Sequence, residues 1–217
     1  MNSIKGPVEP GAIENKSFAI IDSEVPEPRP FSGNEWLIVR RMIHTSADFE
    51  LLSLVEFHPD AIREGIQTLL NGCLIITDTE MARMGITSRR MELLGCSVEC
   101  YMNEKNVIER AGKDGITRAS AAVDYALPKL NGSIFVVGNA PTALMALIDR
   151  LRDEKSRPAL IVGMPVGFVN AAESKDLLIE QTDIPFISIR GRKGGSPLAA
   201  TVVNQLAEIA LELKAKG

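Results

Sequence analysis

Five short apolar runs, each bounded by glycine, proline or polar residues, punctuate this chain at residues 73–78, 97–102, 133–138, 159–163 and 185–190. They are too short for helices, rich in β-branched residues, and continuous rather than alternating, as strands buried on both faces are. Between them lie longer segments with apolar residues at helical spacing, notably 141–152 and 197–214. Strands that alternate with helices pair in parallel, each helix carrying the chain back across the sheet. The pattern therefore predicts a doubly wound α/β fold, with a mainly parallel five-stranded sheet and helices on both faces. With 217 residues, 45% of them apolar, the whole chain, 1–217, reads as one domain.

Two helices are expected ahead of the first run. Ser32-Gly33-Asn34-Glu35 has the form of a capping box, and Trp36, Val39 and Ile43 then recur on one helix face. A second helix is expected to start at Pro59, where a missing N–H costs nothing, and to stop at Asn71-Gly72.

Doubly wound sheets bind ligands beyond the carboxyl ends of their strands. Four loops fall there: Asp78-Thr79-Glu80-Met81, Gly138-Asn139-Ala140-Pro141-Thr142, Gly163-Met164-Pro165-Val166-Gly167, and residues 190–196. The last places Arg190, Arg192 and Lys193 just ahead of two glycines and a Ser-Pro helix start. Forked guanidinium donors, free backbone N–H groups and a helix dipole suit an anion, although a solvated basic turn has the same composition. Gly138 allows a tight strand-to-helix turn with close backbone approach, and a purely structural turn has the same form. Asp78 and Glu80 are the carboxylates to watch on these rims, with Glu80 equally placed to cap the helix that follows.

Several function classes fall away. Neither GxGxxG nor GxxxxGK[ST] occurs, which disfavours a nucleotide-dependent oxidoreductase or ATP enzyme. A net charge of −4 and 5% aromatic residues suit neither a phosphate backbone nor base stacking, so nucleic acid is not the expected partner. The first thirty residues lack a secretory signal, and no apolar run approaches the ~20 residues of a membrane span, so a cytoplasmic protein is expected. Cys73, Cys96 and Cys100 are too few for a disulfide framework and are expected as reduced thiols in or near the core. No metal-ligand spacing is present.

Only two histidines are available for chemistry near neutral pH. His58 precedes Pro59 and reads as structural. Arg41 and His44 are three apart on the first capped helix, which puts both on one face, with Thr45-Ser46 as local hydrogen-bond partners. A catalytic group and a satisfied structural histidine both fit that position. Thr117-Arg118 opens a helix of small residues, Ala119, Ser120, Ala121 and Ala122, with Arg118 either an anion ligand or a surface contact.

Taken in order, the loops closely resemble the precorrin-8X methylmutase family, including its cobalt-precorrin-8 members. The resemblance covers residues 17–204. It rests on Ser17-Phe18-Ala19-Ile20-Ile21, Arg41-Met42-Ile43-His44, Thr117-Arg118, Gly138-Asn139-Ala140-Pro141-Thr142-Ala143-Leu144, Gly163-Met164-Pro165-Val166-Gly167-Phe168-Val169, Ala171-Ala172-Glu173-Ser174-Lys175 and Arg190-Gly191-Arg192. It implies an isomerase of corrin biosynthesis that moves a methyl group from C-11 to C-12 by a [1,5]-sigmatropic shift, without an organic cofactor, as a homodimer. The family's acid/base histidine falls on His44, and its substrate-contacting serine and arginine fall on Ser17 and Arg41. The substrate is then a flat macrocycle fringed with carboxylates, to which Arg41, Arg118, Arg190 and Arg192 offer cations. A carrier that binds a tetrapyrrole without chemistry is the alternative.

Overall fold

The structure, a computed structural model, describes residues 10–152, 157–180 and 183–216. Its centre is a sheet of β1 (Val55–Phe57), β2 (Leu74–Thr77), β3 (Ser97–Cys100), β4 (Ile134–Val137), β5 (Leu160–Gly163) and β6 (Phe186–Ile189), in the order β1-β6-β5-β4-β2-β3. All five expected strands are present and pair in parallel. The sheet has six strands rather than five, because β1 adds antiparallel to β6, with Val55 opposite Ile189 and Phe57 opposite Ile187. Val-Glu-Phe is too short to show a period, and tertiary bonds hold it, from the His58 N–H to the Phe186 carbonyl and from the Arg190 N–H to the Leu54 carbonyl.

The helices are α1 (Pro10–Glu24), α2 (Gly33–Ser46), α3 (Leu51–Leu54), α4 (Ala61–Leu70), α5 (Glu80–Gly85), α6 (Ser88–Leu94), α7 (Lys105–Asp114), α8 (Arg118–Ala126), α9 (Pro141–Leu151), α10 (Ala171–Glu180) and α11 (Ser196–Lys216). Strand residues alternate between two cores, as a pleated backbone requires. Ile75, Ile134, Val136, Val162 and Ile187 face α4, α6 and α11, while Ile76, Phe135, Val137, Ile161 and Phe186 face α7 to α10. Helices therefore cover both faces.

α11 buries residues all round its axis, including Leu198, Val202, Val203, Leu206 and Ala210, because it lies between the sheet and α2. Thus α2 rides in an outer layer, its apolar face of Trp36, Ile38, Val39, Met42 and Ile43 turned inward. Ser32 stands at its N-cap with an extended backbone, but its hydroxyl makes no capping bond, so the expected box is not formed. Pro59 is not the first residue of α4 either. It lies in a turn closed by an Asp60 N–H bond to His58 Nδ1 (3.1 Å), and the His58 ring packs edge-on against Phe186.

The chain passes from β2 outward to β3 and returns to form β4 on the other side of β2. The topological switch point therefore lies between the carboxyl ends of β2 and β4.

Candidate functional site

With five of its residues buried, α2 turns Arg41 and His44 outward from its last turns. Two hollows meet at His44. One, of about 210 Å³, is lined by Glu14, Arg41, Thr45, Arg90, Thr201 and Glu208 besides the imidazole. The other, of about 230 Å³, is lined by Ser17, Ile20, Ile21, Ile43, Ala47 and Phe49. Spacing on the helix thus brought Arg41 and His44 together, and α1 brings Ser17 to the far side of the same imidazole.

His44 is exposed, and among the described residues its imidazole has no hydrogen-bond partner. Its contact is the Phe18 ring, centroid to centroid 5.2 Å. The opposite environment surrounds Arg41. Its guanidinium bonds Gln205 Oε1 (2.9 Å) and Glu208 Oε2 (3.1 Å), pairs with Glu14, and lies 4.7 Å from the Phe18 ring centroid. Arg90 shares Glu208 at 3.1 Å, so cations and carboxylates alternate along one wall. Thr45 bonds the Arg41 carbonyl and the Thr201 hydroxyl, while the Ser17 hydroxyl donates back to the Ile13 carbonyl at 3.0 Å. Past His44, α2 ends at Ala47 in the left-handed conformation (φ 53°), a position that suits glycine better.

The strand-end loops converge too, but mainly on one another. Asp78, buried after β2, accepts the N–H groups of Gly138 (2.9 Å), Asn139 (2.8 Å) and Ala140 (2.7 Å), closing the switch point from within. Burial pushes its carboxyl up, and those three donors hold it down. The backbone donors after β4 are therefore already used, and Asp78 is a structural acceptor. Thr79 and Ser196 share a hydroxyl bond of 2.9 Å, and the Gly195 N–H reaches the Met164 carbonyl at 2.9 Å. A Cβ on Gly138 would stand 2.6 Å from the Ser196 Cα, so this turn requires glycine. Glu80 opens α5 behind the Thr79 cap and pairs with Arg83.

The basic loop carries its own anions. Arg190 bonds Glu56 at 2.6 Å and lies 3.7 Å from Asp176, and Arg192 stacks over Phe168 at 5.4 Å. Lys193 reaches Asp48 and Glu50, next to the Ala47 and Phe49 that line the Ser17 hollow, and so ties the loop to the His44 side. Arg118 is exposed in the first turn of α8, which packs on the opposite core, and like Arg190 and Arg192 it lines neither hollow at His44. Beneath the loop Lys175 is fully buried, with its ammonium on the Lys193 carbonyl and its proton affinity pushed down to about 8 by burial.

Sequence reasoning missed Glu14, Arg90, Gln205 and Glu208. The three-residue spacing of Gln205 and Glu208 on α11 was the available signal, without a mark for what it faces. Among the described residues, no group of three or more His, Cys, Asp or Glu side chains is placed to hold a metal ion, and no helix is long and apolar enough to cross a membrane.

A sequence model of the family described as precorrin-8X methylmutase matches residues 12–209. A cobalt-precorrin-8 methylmutase of Leptospira interrogans is 44% identical over 201 residues, covering 89% of this chain and 91% of its own. A precorrin-8X methylmutase of Sinorhizobium sp. is 41% identical over 197 residues, covering 90% and 93%. The precorrin-8x methyl mutase of Thermus thermophilus superposes with a TM-score of 0.86 at 43% identity, over 93% of this chain and 97% of that one.

Proposed function

The chain belongs to the precorrin-8X methylmutase family and is an isomerase of cobalamin biosynthesis; we propose that it moves the C-11 methyl group of precorrin-8X or cobalt-precorrin-8 to C-12, with His44 as the acid/base residue. The product is hydrogenobyrinic acid or its cobalt form, cobyrinic acid. The observation that carries the assignment is the unpartnered imidazole at the junction of two hollows, with Arg41 on one side and Ser17 on the other.

In this reading His44 donates a proton to the conjugated macrocycle, favouring the arrangement in which the methyl group migrates, and recovers it as the product tautomer settles. General acid/base help contributes about 10² to 10⁴ in rate, and shape and preorganised charge supply the rest. Arg41 binds a peripheral carboxylate by exchanging it for Glu14 or Glu208, and Ser17 offers its hydroxyl at the rim. Arg118, Arg190 and Arg192 serve carboxylates further out on the ring. Residues 1–217 act as one unit in the cytoplasm, as a homodimer and without an organic cofactor. Exposed apolar residues support the dimer, namely Ile13 and Ile20 on α1 and Phe168 and Val169 after β5.

The test mixes protein anaerobically with each form of the substrate and follows the visible spectrum and the methyl NMR signals. Conversion that is lost on replacing His44 is the expected result and identifies the metal state used. Unchanged turnover of a folded His44→Ala protein would refute the role given to His44, and tight binding without conversion by the unmodified protein would refute the isomerisation.

A further inference from the structure

At the edge of the sheet opposite the strand-end loops, Cys73 immediately precedes β2 and Cys96 immediately precedes β3. The two strands are parallel neighbours, with Leu74 opposite Ser97, and the Ser97 N–H bonds the Cys73 carbonyl at 3.0 Å. Adjacent parallel strands stand about 4.8 Å apart, inside the ~4.4–6.8 Å Cα window that a disulfide spans. The sulfurs are 3.9 Å apart, so a small side-chain rotation brings them to bonding distance.

The two thiols are unequal. Cys96 accepts the Cys73 backbone N–H at 3.4 Å. It also opens onto a hollow of about 430 Å³ between α5 and α6, lined by Arg83, Ile86, Met91 and Val98 among others. The hydrogen bond from Cys73 pulls the Cys96 thiol down to about 7, and the positive charge of Lys214 assists. Cys73 is more deeply buried and keeps its proton, held up by its bond to Cys96 and by burial. A partly exposed thiol that gives up its proton more readily, beside a second thiol that keeps its own, is the arrangement of an attacking and a resolving cysteine.

We propose that Cys73 and Cys96 form a reversible dithiol–disulfide couple, with Cys96 the nucleophile toward hydroperoxides. The Cys96 sulfur attacks one peroxide oxygen, the O–O bond breaks, and the departing hydroxide or alkoxide takes a proton from solvent, leaving a sulfenic acid. The Cys73 sulfur then attacks the Cys96 sulfur, the S–O bond breaks, and hydroxide leaves as water with the Cys73 proton. Two thiols give up two electrons, and one peroxide becomes water plus water or an alcohol. The couple is independent of the corrinoid chemistry.

The experiment treats the full-length reduced protein with a slight excess of hydrogen peroxide and maps its peptides without reduction. A cross-linked peptide joining Cys73 to Cys96, lighter by two hydrogens and restored by dithiothreitol, is expected while Cys100 stays reduced, since burial raises the Cys100 thiol. Folded Cys73→Ser protein should accumulate a Cys96 sulfenic acid that dimedone traps. The bond closes a loop of some twenty residues, so the oxidised protein should melt higher by about 5–10 °C. Oxidation of Cys100 as fast as Cys96 in the wild-type protein, absence of the cross-link, or a lower melting temperature would each overturn the proposal.

Discussion

The loops at the strand ends and the hollows at His44 are both polar, and they use their polarity in opposite ways. At the strand ends the backbone and hydroxyl donors meet acceptors from the same chain: Asp78 takes three N–H groups, Thr79 meets Ser196, and Gly195 meets Met164. At His44 the imidazole has no such partner, and the carboxylates that hold Arg41 are partly open to solvent, with 46% of the Glu14 side chain and 33% of the Glu208 side chain exposed. Ala47 holds a left-handed backbone in the lining of the Ser17 hollow. Internal bonds close the first region, while the second keeps capacity for a group from outside.

Replacing one residue in each region tests that contrast. His44→Ala is expected to lower turnover by about 10²- to 10⁴-fold while stability stays within about 0.5 kcal/mol, since an exposed side chain is lost, as enzyme assay and urea unfolding would show. Asp78→Ala should do the reverse to the fold, orphaning the buried Gly138 N–H and the partly buried N–H groups of Asn139 and Ala140, at a cost of about 2–4 kcal/mol by the same unfolding measurement.

Lys175 joins the two regions, because the Lys193 carbonyl it supports belongs to the residue that reaches Asp48. Its folded-state proton affinity, about 8 against an ordinary 10.5, means that the unfolded chain binds more protons between those values. Stability from this group therefore rises as pH climbs from 8 toward 10.5, and at pH 7 the buried charge is a cost. Lys175→Met should be more stable than wild type by about 1–3 kcal/mol at pH 7, with the gap narrowing by pH 10 in thermal melts. The smallest effect expected is from Ala47→Gly, a gain of about 0.5–1 kcal/mol by the same melts, because glycine takes the left-handed position freely.

The central strands were legible because burial on both faces leaves no room for polar alternation, and residues 134–137 and 160–163 are buried throughout. β1 was not, since three residues paired only through distant partners leave no local trace. Likewise, Arg41 and His44 share a helix, so their adjacency is written in their spacing. Ser17 came from the family resemblance, and the wall of Glu14, Arg90, Gln205 and Glu208 is assembled from α1, α6 and α11, which no local pattern links. Asp78 was noticed for its position, but its bonds to residues 138–140 exist only once β2 and β4 lie side by side.

The short β1 bears on how the chain behaves in company. The strands β4, β5 and β6 are buried throughout, and the two margins of the sheet are the places where a foreign strand could add. One margin is only three residues long and carries the Glu56–Arg190 pair, and the other is four residues long with Glu99 held by Lys129. Neither offers a long ladder to template a neighbour, so the fold guards its open strand edges by keeping both margins brief and charged.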